Sequence, residues 1–390
     1  MNAEVISLGC RLNLAESETI RALLGETHDV VVINSCAVTA EAVRQTRQAI
    51  RKARRARPDA RLLVTGCAAE IERDQLAAMP EVDGLVSNAR KLDARAWNVP
   101  NDRSLVPSQH TRAFIAVQNG CDHACTFCVI PQGRGASRSL RIADVLREIE
   151  RHLDQGAAEV VLTGVDVTSW GHDLPGKPSL GLLVRAILDS FPALRRLRLS
   201  SLDGVEIDEA LFELLADEAR VMPHVHLSLQ HGHDLILKRM KRRHARADAL
   251  RLVERLRARR PDVAVGADLI AGFPTEDEAM HAANRSIIRE LGIVHGHVFP
   301  YSPRPGTPAA RMPQLDKATI KDRAAELRAD VADIRTAWLT SLLGSELSVL
   351  AEADGTGHAG NFARVALPAG TRRGAIVTVT PRSLHQGLLQ

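Results

Sequence analysis

Aromatic side chains are scarce: seven Phe, three Trp and one Tyr amount to 3% of 390 residues. A broad platform for stacking unpaired bases is therefore excluded, and any bound nucleic acid would be held mainly through its phosphates. No apolar run approaches the roughly 20 residues that span a bilayer. The start, Met1-Asn2-Ala3-Glu4, has no basic stretch followed by a signal core. These features predict a cytoplasmic protein with no membrane partner. Nor is there a large excess of one charge, since 51 Lys and Arg against 47 Asp and Glu leave +4. Cysteine is sparse too, at six. In a reducing compartment so few thiols serve as ligands or catalysts rather than disulfides. They fall into two sets of three, Cys10, Cys36 and Cys67, then Cys121, Cys125 and Cys128.

What is present is organised around Asn119 to Cys128, where CxxxCxxC follows the apolar run Ala113 to Val117. Thiolate is a soft ligand that selects zinc, copper(I) or iron–sulfur clusters. The spacing is neither the paired CxxC of half a structural zinc site nor the ferredoxin run that supplies a fourth cysteine. A four-iron cubane on three cysteines keeps one iron free to bind something else. The alternative is a Cys3His zinc knot that uses His123.

Length and a 45% hydrophobic content allow two or three domains with real cores. Residues 4–8, 30–33 and 62–64 read as buried strands, each followed by a helical pattern, which predicts a parallel sheet. The second helix, about 40–57, is basic and stops at Pro58. The first three cysteines each lie just beyond one of these strands, at the edge where such sheets bind ligands. A proline-punctuated stretch from Trp97 to Pro107 places a boundary near residue 105. Six strand-like runs then alternate with helices, at 113–118, 159–164, 195–200, 224–229, 263–270 and 295–300, enough for a partial (β/α)6 barrel with its chemistry at the carboxyl ends. The turns there, Thr163-Gly164, Ser200-Ser201, Ser228 to Gln230 and Ala271 to Pro274, are cofactor contacts or plain turn chemistry. A helix from about 316 to 343 leads to a tail with alternating runs 347–350, 362–365 and 376–379, a very small β-barrel. The expected domains are 1–105, 106–343 and 344–390. Basic residues cluster at Arg44 to Arg57 and Lys238 to His244, which favours a polyanion over a merely solvated surface.

These motifs together resemble the methylthiotransferases of the radical S-adenosylmethionine superfamily over essentially the whole chain. Ser7 to Asn13, Val32 to Thr39 and Val64 to Ala68 are similar to the family's three N-terminal cysteine motifs, and Cys121, Cys125 and Cys128 are followed by Ile130-Pro131, Arg134-Gly135 and Arg138-Ser139. Leu14 departs from the polar residue associated with the first motif. The tail resembles the RNA-binding TRAM barrel, with Arg372, Arg373 and Arg382 as its candidate RNA contacts.

The resemblance implies two [4Fe-4S] clusters, one on Cys121, Cys125 and Cys128 that binds and cleaves S-adenosyl-L-methionine, and an auxiliary one on Cys10, Cys36 and Cys67. It implies tRNA as partner, a reductant such as flavodoxin or ferredoxin, and net conversion of C–H to C–SCH3. Thr163, Gly164, Ser200, Arg134 and Arg138 are candidate S-adenosylmethionine contacts. The runs Lys238 to His244 and His297 to Met312 are most similar to the branch acting on threonylcarbamoyladenosine at position 37 of tRNA. Isopentenyladenosine and a ribosomal-protein aspartate are the family's other substrates. A threonylcarbamoyl group carries a carboxylate, for which Arg304 and Arg311 are candidates. The competing class is a non-enzymatic, zinc-holding RNA-binding protein.

Overall fold

The structure is a computed structural model that describes residues 3–25, 29–99 and 111–390. The N-terminal sheet is parallel, in the order Glu4–Ser7, Val30–Ser35, Arg61–Gly66, Gly84–Leu85. The second strand, VVVINS, is buried along its whole length between the first and third, as a β-branched run covered on both faces should be. The basic helix Ala40–Ala56 starts where the Thr39 side chain accepts the Ala42 N–H. It buries Val43, Thr46, Ile50 and Ala53 at helical spacing and leaves its arginines outside. The strand Gly84–Leu85 is too short to show a periodicity.

The expected boundary near residue 105 lies outside the described residues. Beyond it six parallel strands follow: Arg112–Ala116, Glu159–Thr163, Leu197–Leu199 continued by Ser201–Leu202, His224–Gln230, Ala264–Ala271 and Ile293–Pro300. The third strand breaks at Ser200, so its first half pairs back to Glu159–Thr163 and its second half forward to His224–Gln230. Six strands do not close a barrel, and the lumen stays open at one side.

Alternation along the strands sorts the barrel. Val160, Leu162, Leu197, Leu199, Val225, Leu227, Val265 and Leu269 pack outward in one core with the helices. The alternate positions, among them Glu159, Arg198, His224, His226, Asp268 and His297, face inward and make the lumen polar. A two-stranded antiparallel ladder, Gln118–Asn119 with Arg138–Ser139, brackets the loop that carries Cys121, Cys125 and Cys128.

After helix Lys317–Ser341 comes a six-stranded sheet in the order Ile376–Val379, Leu347–Ala351, Thr356–Ala359, Arg364–Ala366, Leu388–Leu389, Leu384–His385. The expected small barrel is thus an open ladder, its two end strands unpaired with each other among the described residues. It docks at the amino ends of the barrel strands, where Arg196 donates to the Ser348 carbonyl at 2.6 Å and Arg112 pairs with Glu352 at 2.5 Å. Phe362 is pushed against His224 and His295, with ring centroids at 5.2 and 6.0 Å.

A buried carboxylate sits at the joint between the N-terminal sheet and the barrel. Glu16, on helix Arg11–Leu24, receives Lys91 at 2.5 Å and the Arg134 guanidinium at 2.8 and 3.1 Å, and all three side chains are 1% exposed. Arg134 also binds Asn119 at 2.8 Å, while Asn13 meets it from the other side. Burial opposes ionisation of Glu16, but Lys91 and Arg134 outweigh it and hold the carboxyl below its usual range. A depressed carboxylate contributes stability that is present above its unfolded value and lost as pH falls through the folded one. Acid should therefore loosen this joint. Glu16→Gln leaves two buried cations on a neutral amide and is expected to cost roughly 3–5 kcal/mol. Urea unfolding at neutral pH would measure that loss, and the gap between variant and wild type should narrow below the ordinary carboxylate range.

Candidate active site: two cysteine trios across a domain joint

Cys10, Cys36 and Cys67 sit at the carboxyl edge of the N-terminal sheet. Gly9 and Gly66, before two of them, adopt φ of +96° and +92°. A Cβ at Gly9 would fall 2.7 Å from the Cys36 Cβ, and one at Gly66 would fall inside the Ser35 backbone. Only glycine lets the chain turn there and bring the thiols together. Cys36 and Cys67 are buried and Cys10 is exposed. Burial pushes the Cys36 thiol up to about 11, the neighbouring Cys10 and Cys67 adding to the shift. Burial also raises Cys67.

The second trio lies on the bracketed loop at the barrel mouth. Each sulfur has a donor aimed at it: the His123 N–H on Cys121 at 3.4 Å, the Ile130 N–H on Cys128 at 3.4 Å, and Arg242 Nη1 on Cys125 at 3.7 Å. Such donors stabilise thiolate and tune a cluster's potential. Without metal, burial pushes Cys121 up to about 12 and Cys128 to about 11, so a bound metal must displace the protons.

Among the described residues, neither trio has its three sulfurs within 4.8 Å of one another. A tetrahedral zinc with bonds of about 2.3 Å would hold them roughly 3.8 Å apart, whereas a cubane spreads three thiolates over three irons. His123 is drawn to Asp166, Nε2 to Oδ2 2.8 Å, and Ser169 holds the same oxygen at 2.7 Å. Of the Cys3His set, Cys121 and His123 come within 4.8 Å of one another together with Asp166, and Cys125 and Cys128 do not join that group among the described residues. The donor set fits a four-iron cluster at each trio.

The trios face one another. Helix Ile130–Arg134, directly after Cys128, packs on helix Cys67–Ile71, with Gly133 against Cys67 and the Asn88 amide donating to the Gly133 carbonyl at 2.6 Å. The Cys128 thiol feels the charge of Cys67. Glu16 and Arg134 lie at this same contact.

Other expected residues divide. Thr163 is buried, its carbonyl taken by the Val117 N–H at 2.9 Å. Gly164 packs against Gln118, whose Oε1 accepts the Val165 and Asp166 N–H groups at 3.0 and 2.9 Å. Ser200 is buried, and its Oγ has no partner among the described residues. These three line the carboxyl edge beneath the second trio. Arg138 is exposed, and among the described residues its guanidinium hydrogen-bonds the Arg134 and Ala136 carbonyls.

Arg134 is a correction: its donors are consumed by Glu16, Asn119 and Asn13, so it joins domains instead of gripping a cofactor carboxylate. Arg304 is another. It is buried and reaches Glu72 across the joint at 3.3 Å, while Arg311 is exposed. Within the run Lys238 to His244, Lys238, Lys241 and Arg243 are exposed, as a phosphate patch requires, whereas Arg239 and Arg242 are half-buried and His244 is buried. Arg239 holds Thr275 at 2.7 Å, Arg242 holds Asp203 at 2.8 Å, and Arg243 holds Glu206 at 2.5 Å. Glu16, Lys91 and Asp166 escaped sequence reading. The only signal for Glu16 is an acid on the buried face of an amphipathic helix.

Residues 115–285 match the Radical SAM superfamily, and residues 2–87 match the Uncharacterized protein family UPF0004. The chain is 44% identical over 385 residues to the threonylcarbamoyladenosine tRNA methylthiotransferase MtaB of Rickettsia prowazekii, covering 94% of this chain and 91% of that protein. The Aquifex aeolicus protein of the same name is 32% identical, with 88% and 91% covered. A tRNA-2-methylthio-N(6)-dimethylallyladenosine synthase of Cereibacter sphaeroides is 35% identical, with 89% and 86% covered. Among solved structures, the radical S-adenosylmethionine methyltransferase TsrM of Kitasatospora setae superposes with a TM-score of 0.54 at 18% identity, covering 76% of this chain and 66% of that one. That likeness carries the fold alone.

Arg242 places a positive charge beside Cys125. With a cluster on this trio, Arg242→Ala should make it harder to reduce, and Arg242→Lys should restore part of the change. Redox titration followed by electron paramagnetic resonance would register a more negative midpoint potential for the alanine variant.

Proposed function

We propose, from the premise that this chain belongs to the radical S-adenosylmethionine tRNA methylthiotransferases, that it converts threonylcarbamoyladenosine at position 37 of tRNA to its 2-methylthio derivative. The observation that carries this reading is the 44% identity to a protein named for that reaction, spread over nearly the whole of both chains. The two facing trios support it. One [4Fe-4S] cluster with S-adenosylmethionine is general to the superfamily, and we assign it to Cys121, Cys125 and Cys128. The second, on Cys10, Cys36 and Cys67, is our reading of the fitted donor set.

When bound, these groups supply the radical that removes a hydrogen no side-chain base can take from C2 of adenine, together with the sulfur that replaces it. The protein's own work is placement and exclusion of water. Thr163, Gly164 and Ser200 form the shelf below the loop, and Ser200 Oγ offers an unused hydrogen-bonding group to S-adenosylmethionine. Glu16 and Arg134 fix the separation of the trios. A one-electron donor such as flavodoxin or ferredoxin completes the partners, and tRNA as substrate implies the cytoplasm. No described helix is long and apolar enough to cross a membrane.

For tRNA phosphates the supporting surface is an open cleft of about 430 Å³ along the basic helix, lined by Arg44, Arg47, Arg51 and Arg304. Arg44 and Arg51 are paired with Glu41 and Glu81 at the surface, pairs weak enough to give way to phosphate. Arg372 and Arg382 of the C-terminal sheet are exposed and form a second candidate contact. The 35% relatives named for dimethylallyladenosine motivate the one competing substrate.

Anaerobic reconstitution tests the assignment. Cys36→Ala should abolish methylthiolation but keep reductive cleavage of S-adenosylmethionine, whereas Cys128→Ala should lose both. Full methylthiolation by Cys36→Ala would refute the auxiliary site, and a colourless zinc protein would refute both clusters. In binding assays, tRNA affinity should fall as salt rises, and reversing Arg44 and Arg51 to Glu should flatten that dependence by about two phosphates.

A further inference from the structure

The floor of the lumen holds more positive charge than its carboxylates balance. Glu159, fully buried at the start of its strand, accepts Nε of Arg112 and Nε of Arg198, each at 2.9 Å, and Arg196 lies 3.6 Å from its other oxygen. Arg112 has Glu352 as a second partner. Arg198 is 1% exposed, yet neither of its Nη atoms has a hydrogen-bond partner among the described residues, and the same is true of Arg112 Nη2.

A fourth guanidinium enters from the N-terminal sheet. Arg11 directly follows Cys10, and its Cζ lies 5.4 Å from the Phe362 ring that Arg198 and Arg112 also face, at 4.3 and 5.4 Å. Among the described residues Arg11 has no hydrogen bond or ion pair. The charges that act on it most strongly are Arg198 and Arg112, both repulsive, ahead of Glu159 and Asp268. Asp268 is already engaged by His226 and His297, each at 3.1 Å. A half-buried arginine facing two other cations, with no anion of its own, marks a site that awaits one.

The chemistry of the base says which anion. C2 and the N6 substituent of an adenine flank the same ring nitrogen, N1. A base whose C2 is offered to the thiol trio at Cys10 therefore sets its N6 substituent beside the residue that follows Cys10. We propose that Arg11 binds the carboxylate of the threonylcarbamoyl group, with Arg198 and Arg112 as positioning residues that keep the lumen floor positive. An isopentenyl group has no charge to offer such a floor, so the residue distinguishes the family's two nucleoside substrates. Arg304 and Arg311, the candidates from sequence, lie elsewhere. The inference rests on the substrate reading above.

The test uses iron-loaded full-length protein and four anticodon stem-loop RNAs, carrying threonylcarbamoyladenosine, its carboxyl methyl ester, isopentenyladenosine or unmodified adenosine. Wild type should bind the acid roughly 10- to 100-fold more tightly than the ester, the range of a charge-assisted hydrogen-bonded pair. Arg11→Gln should lose that preference with iron content and visible spectrum unchanged, and Arg11→Lys should keep part of it. Equal binding of acid and ester by wild type overturns the inference without any variant. An undiminished preference in Arg11→Gln overturns it while leaving the substrate reading intact. Modification of an isopentenyladenosine stem-loop, but not of the threonylcarbamoyl one, overturns both.

Discussion

A single buried carboxylate sets the geometry on which everything else depends. Glu16 holds Lys91 from its own domain and Arg134 from the barrel, and all three side chains are buried from solvent. Such bridges contribute little net stability over an apolar contact, but they fix register, because a displaced partner leaves a bare ion in low dielectric. Arg134 ends the short helix that begins just after Cys128, and Asn13 and Glu16 lie within two turns of Cys10. The bridge therefore ties the two cysteine trios to each other more directly than it ties one domain's core to the other's.

The barrel wall performs a second division. Its outward positions make the largest apolar core of the chain, while its inward positions carry charge and imidazole. Burying Arg198 and Glu159 would be unfavourable without partners. Their ion pairs, and the C-terminal sheet that caps the amino ends of the strands through Arg196, Arg112 and Phe362, make this tolerable. A surplus of guanidinium remains, and it lies where Arg11 can meet an anionic substituent.

Much of this was legible in the residues. β-branched runs ending at Gly-Cys or Ser-Cys gave the N-terminal strands, and CxxxCxxC after an apolar run gave the cluster loop, because thiolate spacing is local information. Six strands, their carboxyl-end turns and the long helix Lys317–Ser341 followed from periodicity. The partners of charged residues were not legible. Arg134 and Arg304 stand in motifs that suggest ligand contact, yet their partners, Glu16 and Glu72, are more than a hundred residues away in sequence. The run Lys238 to His244 reads as a phosphate patch in one dimension, but a tight turn after helix Asp234–Arg239 sends Arg242 and His244 inward. Pairing across the fold is a tertiary property, and composition cannot carry it.

The central claim is that the facing trios serve one reaction on one nucleoside. Mass spectrometry of tRNA nucleosides from cells lacking this chain tests it most directly. Threonylcarbamoyladenosine should accumulate while its 2-methylthio derivative disappears, with 2-methylthio-isopentenyladenosine unchanged. Persistence of the 2-methylthio threonylcarbamoyl nucleoside in those cells, with no other methylthiotransferase to make it, would contradict the account.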